Sequence, residues 1–305
     1  MATPKKSSTK TKLHPRNRNR ERYDLNALKL AIPELEKYIQ LNKYGVESVD
    51  FANPKAVKLL NQALLKQDYG IEYWNFPDRN LCPPIPGRAD YLHYIADLLG
   101  TQNSGKIPKG EQIKCLDIGV GASCIYPIIG VVEYSWQFIG SDIDAESIKT
   151  ARKIIQANPQ LQGKIECRHQ TNPNHIFNGI LGKKERIDVS ICNPPFHTSL
   201  ADAQKGTLRK VKNLTHQKAK NPKSNFAGNL NELVYKGGEV RFIQNMITES
   251  QIFAENCTWF TTLVSKASNL KIIYAALKKV QAQRVETIPM GTGNKVTRIV
   301  AWTFQ

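Results

Sequence analysis

The sequence predicts an α/β fold, in which a seven-stranded, doubly wound sheet follows a small helical region at the N-terminus. From residue 113 onward, apolar segments of strand length alternate with amphipathic segments of helical length, the order typical of such a sheet. A Gly-x-Gly turn also follows the first predicted strand directly. With 305 residues, of which 41% are hydrophobic, the chain can bury a large core without disulfides or metals.

Three segments are expected along the chain. One helix begins after Asp24 and another at Asn53-Pro54, because Asp and Asn are favoured helix N-caps, and a third ends at Gly100. A polar linker at 101–112 marks the domain boundary. The predicted organisation is a disordered basic tail at 1–23, a helical region at 24–110, and a sheet domain at 111–305 with a basic loop at 198–230.

Seven strands and three main helices are predicted in the sheet domain. Sheets of this kind bind ligands at the carboxyl ends of their strands, so the loops after the first, second and fourth strands are the expected site. The strands are predicted at 113–118, 136–141, 164–168, 187–192, 258–264, 283–288 and 298–304, and the helices at 145–158, 239–254 and 269–280.

The loop after the first strand has the features of a nucleoside-binding turn. Gly119 and Gly121 let the backbone turn sharply and approach a ligand. The dinucleotide fingerprint G-x-G-x-x-G requires a third glycine where this chain has Cys124, so that interpretation fails. Asp117, just before the turn, suits a zwitterionic amino-acid group better than a pyrophosphate. An ordinary tight turn is the alternative.

The second strand ends in two aspartates. A carboxylate at the tip of this strand typically accepts hydrogen bonds from both ribose hydroxyls. Asp142 is better placed for that role than Asp144, which can cap the helix that begins at Ala145.

The fourth strand ends in the most specific short motif of the chain, Asn193-Pro194-Pro195-Phe196. The Asn193 side-chain oxygen and the Pro194 carbonyl can accept the two hydrogens of a planar exocyclic amine and direct its nitrogen toward a methyl donor. The prolines stiffen the turn, and Phe196 can stack on an unstacked base. A turn that merely ends the strand is the less favoured alternative.

Positive charge is concentrated in two segments of the chain. The net charge is +17. Residues 1–22 hold eight basic residues and one acidic residue, and residues 205–231 hold seven basic residues before a first acid at 232. Two cationic segments on a nearly neutral body favour a nucleic acid partner, because neutralising phosphates releases counterions. A solubilising tail and a solvated loop are the alternative.

Several protein classes are disfavoured by the sequence. No apolar run approaches the length of a membrane span, and the N-terminus has no apolar segment of a secretory signal. Six scattered cysteines without a C-x-x-C pair argue against zinc and against a disulfide framework. We therefore expect reduced thiols, a cytoplasmic location, no metal site, no membrane association and no obligate protein partner.

Four stretches together resemble one known family. They are 85–91 around Arg88, 117–127 through the glycine turn, the tetrad with His197, and 298–304 at the C-terminus. The chain resembles the bacterial large-subunit (23S) ribosomal RNA adenine-N6 methyltransferases of the methyltransferase F type, which are class I, Rossmann-like enzymes that use S-adenosyl-L-methionine. The resemblance covers nearly the whole chain and implies that the region 24–110 acts as an RNA and cofactor lid.

The resemblance also implies roles for individual residues. Arg88 would hold the cofactor carboxylate as a charge-assisted pair. A polar residue after the third strand, Gln170 or Thr171, would approach the cofactor adenine. The other implied cofactor-binding residues are Asp117, Gly119, Gly121, Ser123, Asp142 and Asn193, while Asn193, Pro194, Pro195 and Phe196 would hold the target adenine.

Other functions share some of these features. Methylation of a different RNA or DNA adenine, or of a protein glutamine amide, also uses such a tetrad. An RNA-binding protein with a vestigial cofactor site is a further alternative. Trp74 and Phe76 either contribute to the base pocket or pack between the two domains, and Cys192 is expected to be a buried small residue rather than a nucleophile.

Overall fold

The N-terminal region is helical with one short hairpin. The computed structural model describes residues 13–42, 44–199, 202, 230–292 and 295–305. Asp24 and Asn53 cap helices as predicted, each accepting hydrogen bonds from two backbone N–H groups of the first turn. The elements are α1 Leu25–Ala31, a 3-10 helix Pro33–Tyr38, β1 Ile39–Leu41, β2 Glu47–Val49, α2 Pro54–Tyr69 and α3 Ile85–Thr101.

Two features of this region differ from the sequence-based expectation. The antiparallel hairpin of β1 and β2 was not predicted, because strands of three residues are too short to show an alternating pattern. Helix α3 begins at Ile85, six residues before the predicted apolar stripe at Tyr91, with Pro86 in its first turn. Proline is favoured there because its missing N–H would have no helical partner.

The predicted disorder of residues 1–23 is wrong for residues 13–22, which we call the N-terminal strap. His14 and Asn17 are each only 4% exposed. Both bind Asp90 of α3: the backbone N–H of His14 lies 3.0 Å and the Asn17 amide nitrogen 2.5 Å from Asp90 Oδ1. Composition alone suggested disorder, but the partners lie more than 70 positions away in the sequence. Residues 1–12 lie outside the described residues.

Two arginines of the strap form ion pairs with acids on α3 and on the next helix. Arg16 lies 2.8 Å from an Asp97 oxygen, and Arg18 lies 2.7 Å from a Glu133 oxygen. Their charges are therefore partly neutralised within the protein.

The second region contains the predicted seven-stranded sheet, and all seven predicted strands are present. The sheet order is β5-β4-β3-β6-β7-β9-β8; β9 is antiparallel to both of its neighbours, and β3 to β7 are mutually parallel. The strands are β3 Lys114–Ile118, β4 Gln137–Asp142, β5 Ile165–His169, β6 Ile187–Cys192, β7 Cys257–Val264, β8 Arg284–Thr292 and β9 Lys295–Thr303. The doubly wound α/β prediction is confirmed.

Helices cover both faces of this sheet. Their bounds are α4 Ile125–Tyr134, α5 Ala145–Gln156, α6 Leu230–Leu233, α7 Gly238–Ser250 and α8 Leu270–Lys279. One buried cluster joins apolar side chains of α2, α3, α4 and α5 to one face, and a second joins those of α7 and α8 to the other. Apolar residues on both sides of the 101–112 linker thus share one core. Among the described residues, no helix has the length and apolar character needed to cross a membrane.

Candidate active site

A cleft opens at the carboxyl ends of β3, β4 and β6, as the topology predicts. Most of the predicted site residues line it, namely Arg88, Gly119, Gly121, Ser123, Asp142, Asn193 and Pro195. Asp117 lies buried beside them at the end of β3. The cleft therefore brings together residues from α3, the glycine turn and the ends of three strands.

The glycine turn is held in a conformation that other residues rarely adopt. Gly119 has φ +76° and Gly121 has φ +63°. A Cβ on Gly119 would have no other atom within 4 Å, so this surface is open to a ligand. The backbone N–H groups of Gly119 and Val120 both donate to the carbonyl of Ser141, at 2.9 Å each, which fixes the turn to β4.

The structure distinguishes the two aspartates after β4. Asp144 caps α5, accepting from the Glu146 backbone N–H at 3.2 Å. Asp142 faces the glycine turn, and its two oxygens accept from the backbone N–H groups of Gly121 and Asp144, each at 2.9 Å. Burial raises the pKa of Asp142. Asp142 thus keeps the position predicted for the ribose carboxylate.

Asp117 is a buried carboxyl group without a partner. It is 1% exposed, and neither of its oxygens has a hydrogen-bond partner among the described residues. Burial, with a smaller contribution from the charge of Asp142, raises its pKa to about 8, although Arg88 acts in the opposite direction. A buried carboxyl of this kind is costly unless it is protonated or meets a cation, so Asp117 is poised for a positively charged ligand group.

Arg88 reaches the cleft from the first turn of α3. Its guanidinium donates to the Tyr126 hydroxyl at 3.1 Å and lies 5.4 Å from the centre of that ring. Among the described residues it forms no ion pair with a carboxylate, so its remaining donors can bind one. Tyr126 is a site residue that the sequence analysis missed.

The tetrad lies at the end of β6, with Asn193 beside the cleft. Its Oδ1 atom is buried and has no hydrogen-bond partner among the described residues. Pro195 lines the cleft, whereas Pro194 is buried and Phe196 is half-buried, and neither belongs to the cleft wall. The arrangement places an unused hydrogen-bond acceptor next to the cofactor cleft.

Two aromatic residues that the sequence analysis missed also line the cleft. The rings of Tyr235 and Phe242 pack edge to face with their centres 5.2 Å apart, and the Tyr235 hydroxyl accepts from Asn245 at 2.7 Å. They lie some 40 positions from the tetrad and follow the basic loop, so no local motif connects them to it.

Tyr91 attaches α3 to the strand that carries the tetrad. Its hydroxyl, fully buried, lies 2.8 Å from Thr261 Oγ1 and accepts from the Cys192 backbone N–H at 3.3 Å. Cys192 is 1% exposed, and burial raises its thiol pKa well above the usual value. A buried structural role for Cys192 agrees with the sequence-based prediction.

The two ends of the basic loop meet beside the tetrad. The His197 N–H donates to the Leu233 carbonyl, and the Tyr235 N–H donates to the His197 carbonyl, both at 3.0 Å. Apart from 198, 199, 202 and 230, the predicted loop 198–230 lies outside the described residues. The described residues on either side of the segment that carries its positive charge thus lie next to the predicted base site.

After β5, the structure favours Gln170 over Thr171 as a wall of the cleft. Gln170 is 5% exposed and lines the cleft, whereas the side chain of Thr171 is exposed and does not. Gln170 is held by its own bonds: its amide nitrogen donates to the Asn178 carbonyl at 2.9 Å, and its oxygen accepts from the Asn172 N–H at 3.0 Å.

Trp74 supports the glycine turn from outside the cleft. Its indole Nε1 donates to the Ser123 carbonyl at 2.7 Å, and its ring packs edge to face on Phe76. Both side chains are buried and neither lines the cleft. Of the two alternatives for these aromatics, the structure supports packing between the N-terminal region and the sheet domain.

The cleft fits S-adenosylmethionine. This cofactor carries a carboxylate, an ammonium, a sulfonium and two ribose hydroxyls. Arg88 has donors free for the carboxylate, buried Asp117 lacks a cation, and Gly119 presents an open surface. Asp142 lies at the end of β4, the position at which such folds bind ribose.

Comparison with known proteins agrees with this site. A family model described as RNA methyltransferase matches residues 7–305. The ribosomal RNA large subunit methyltransferase F of Cytophaga hutchinsonii is 56% identical over 297 residues, covering 97% of this chain and 92% of that protein. The protein of the same name from Bacteroides thetaiotaomicron is 52% identical over 303 residues, covering 97% and 98%.

Solved structures show the same fold. The human METTL16 catalytic domain in complex with MAT2A 3′UTR hairpin 1 matches with a TM-score of 0.81 and 26% identity, covering 96% of each chain. The N-terminal domain of human METTL16 in complex with SAH matches with a TM-score of 0.75 and 25% identity, covering 96% of this chain and 99% of that one. The chain therefore belongs to the RNA methyltransferase family, and it is a class I enzyme that takes its methyl group from S-adenosylmethionine.

Proposed function

We propose that this enzyme transfers a methyl group from S-adenosylmethionine to N6 of one adenine in large-subunit (23S) ribosomal RNA, in the cytoplasm. The observation that carries the proposal is the buried, unpartnered Asn193 Oδ1 at the cofactor cleft. An amide oxygen in that position is suited to an N–H donor such as an exocyclic amine. Relatives named ribosomal RNA large subunit methyltransferase F support the choice of RNA.

The tetrad solves a specific chemical problem. The N6 lone pair of adenine is delocalised into the ring, which makes the amine a poor nucleophile. Asn193 Oδ1 and the Pro194 carbonyl accept its two hydrogens and direct the nitrogen toward the methyl donor. S-adenosylmethionine supplies the electrophilic methyl group. Pro195 keeps the turn rigid, so the acceptors need no rearrangement when the base arrives.

Each cofactor-binding residue is assigned to one chemical group of S-adenosylmethionine. Arg88 holds the methionyl carboxylate in a charge-assisted pair, and Asp117 meets the ammonium. Asp142 accepts from the ribose hydroxyls. Gly119, Gly121 and Ser123 line the methionyl and ribose groups, while Gln170, with the backbone of Thr171, lies against the adenine of the cofactor.

The target adenine has two sources of stacking surface. Phe196 follows the tetrad directly, and Tyr235 and Phe242 line the same cleft as Asn193. A base must leave its own strand to reach this site, and contact with an aromatic ring offsets part of the lost stacking.

RNA affinity comes from the two basic segments. Arg16 and Arg18 form ion pairs within the protein, so we assign phosphate contacts to the lysines before residue 13 and to the loop 198–230. We assign the N-terminal helices of the region 24–110 the role of a lid on the cofactor and the RNA. Helix α3 supports this role, since it brings Arg88 to the cleft from outside the sheet domain.

Methyl transfer to defined acceptors tests the proposal. The purified enzyme is supplied with methyl-labelled S-adenosylmethionine and a 23S transcript, with a deoxyribose version of the same sequence and a glutamine-containing peptide in parallel. Nucleoside mass spectrometry is expected to show N6-methyladenosine in RNA only. A product on another base, on DNA or on the peptide would overturn it, and a reaction without enzyme serves as the negative control.

A cellular comparison locates the modified nucleotide. Ribosomal RNA from cells with and without the enzyme is digested and analysed by mass spectrometry. One N6-methyladenosine in the large-subunit RNA should disappear when the enzyme is absent. An unchanged pattern would contradict the proposed substrate.

A further inference from the structure

Tyr126 contacts the guanidinium group of Arg88 in the wall of the cofactor cleft. It lies in the first turn of α4, just after the glycine turn. Its hydroxyl accepts a hydrogen bond from Arg88 Nη1 at 3.1 Å, and the guanidinium carbon lies 5.4 Å from the centre of its ring. Among the described residues, no other side chain bonds to this guanidinium. The orientation of Arg88 therefore depends on Tyr126.

The ring of Tyr126 is itself held in place. Only 4% of the residue is exposed, although it lines the cleft. The ring packs edge to face on Tyr91, with the centres 5.5 Å apart, and Tyr91 is bonded to Thr261 and to the backbone of Cys192. Close packing leaves such a ring little room to turn. Its hydroxyl thus offers one fixed acceptor to the longer, half-buried side chain of Arg88.

This contact fixes Arg88 without neutralising its charge. Burial raises the pKa of Tyr126 to about 12, so the hydroxyl stays protonated and uncharged at neutral pH. Arg16, in contrast, is held by a carboxylate oxygen of Asp97 at 2.8 Å, which neutralises part of its charge. A hydroxyl partner suits an arginine whose charge is needed for a ligand.

The orientation of this guanidinium matters for the ligand. Among the described residues that line the cleft, Arg88 is the one lysine or arginine, and S-adenosylmethionine has one carboxylate. An arginine binds a carboxylate best through two parallel N–H donors, an arrangement that depends on the plane of the guanidinium. A guanidinium that is already held also loses less side-chain freedom when the ligand binds.

We infer that Tyr126 is a positioning residue, whose hydroxyl orients the Arg88 guanidinium to bind the methionyl carboxylate of S-adenosylmethionine. This role rests on the carboxylate binding proposed above for Arg88. It is independent of which base is methylated.

The test compares two ligands that differ only in the carboxylate. S-adenosylhomocysteine carries it, whereas decarboxylated S-adenosylhomocysteine keeps the adenosine and the ammonium but lacks it. Both affinities are measured by calorimetry without RNA, at ligand concentrations that reach saturation. Tyr126→Phe keeps the ring and removes the hydroxyl. We expect S-adenosylhomocysteine to bind this variant about fivefold more weakly, and the decarboxylated ligand to bind within twofold of the unaltered enzyme.

A double-mutant cycle shows whether Tyr126 acts through Arg88. Arg88→Ala should reduce the ratio of the two affinities at least tenfold, because a charge-assisted pair is lost. Adding Tyr126→Phe to Arg88→Ala should change the ratio by less than twofold, since the residue that Tyr126 orients is then absent.

Tyr134→Phe is the matched control. Tyr134 lies at the other end of α4, is also buried, and its hydroxyl accepts from Arg16 Nε at 3.2 Å. This variant removes the same kind of contact outside the cleft and should leave the ratio unchanged. Retained binding of the decarboxylated ligand shows that each variant is folded.

Three results would overturn the positioning role. The first is an unchanged ratio in Tyr126→Phe, and the second is an equal loss of both ligands, which would assign the hydroxyl to the cleft as a whole. The third is an Arg88→Ala variant with the ratio of the unaltered enzyme, which would also remove the carboxylate from Arg88. Because no titration contains RNA, failure to find N6-methyladenine would leave these results intact.

Discussion

The indole Nε1 of Trp74 lies 2.7 Å from the carbonyl oxygen of Ser123, and this hydrogen bond joins the N-terminal region to the cofactor turn. The next residue, Cys124, has φ +51°, which is uncommon for a residue with a side chain. The bond thus fixes the backbone at the point where the turn becomes helix α4.

Replacing Trp74 with Phe should weaken cofactor binding. The change keeps an aromatic ring but leaves the Ser123 carbonyl without its donor, so the turn loses part of its support. We expect roughly a fivefold to tenfold loss of S-adenosylhomocysteine affinity by calorimetry. Phe76→Leu, which alters the neighbouring packing but not the hydrogen bond, should lose less. Equal effects would assign the role to packing alone.

The stability of the cofactor-free enzyme should fall as pH rises toward 8. The native pKa of Asp117 is about 8, above that of an unfolded aspartate, so the folded state holds one more proton between roughly pH 4 and pH 8. Each pH unit in this window removes up to about 1.4 kcal/mol from the free energy of unfolding. Asp117→Asn should remove the contribution of Asp117 and make this slope less steep, as measured by urea unfolding at pH 5.5 and 8.0. A variant with the same slope would remove Asp117 as its source.

Asn193→Ala should separate catalysis from RNA binding. The variant loses an acceptor for the target amine but keeps the basic segments, so turnover should fall about 100-fold or more while RNA affinity stays near normal. Single-turnover methylation and filter binding measure the two quantities. An unchanged rate would exclude the tetrad from the mechanism.

Tyr91→Phe should destabilise the enzyme. The buried hydroxyl bonds with Thr261 and with the backbone of Cys192, and its removal leaves buried polar groups unpaired. A loss of about 1–3 kcal/mol in the free energy of unfolding is expected. Tyr94→Phe, on the same helix with a half-buried ring, is the matched control and should cost less than half as much. Similar losses in both variants would contradict the proposed attachment.

Two N-terminal truncations should have different effects. Removing residues 1–12 takes away four lysines and should reduce RNA affinity and its salt dependence, while the melting temperature stays the same. Removing residues 1–22 also deletes the N-terminal strap with its bonds to Asp90, Asp97 and Glu133, so the melting temperature should fall by several degrees. Equal melting temperatures would show that the strap contributes no stability.

The sequence predicts the sheet well because its strands are locally encoded. Segments such as 187–192 are short, apolar and bounded by turn residues, so pattern alone identifies them. Gly119, Gly121 and Asn193 also lie in local motifs. The first two indicate a turn that can approach a ligand, and the third indicates a turn that presents a hydrogen-bond acceptor. These residues all meet in one cleft.

The features that the sequence analysis missed depend on contacts between distant residues. Glu232 and Tyr235 reach the cleft only because the chain returns beside His197 after the basic loop. His14 is buried because Asp90 and Asp97 are positioned by α3. Neither the local composition nor the hydrophobic periodicity indicates such distant partners. The basic residues of the N-terminal strap were therefore predicted to be disordered.

Helix α3 carries Arg88 toward the cofactor and Tyr91 toward the strand of the tetrad, three positions apart on one side of the helix. Each residue advances a helix by about 100°, so one inserted or deleted position between them would turn one side chain away from its target. Recombination between relatives should therefore tolerate exchanges within the linker or at the surface far better than a change of spacing inside this single turn. The sequence spacing of these two residues, more than the identity of either one, therefore limits how far the sequence of this helix can diverge.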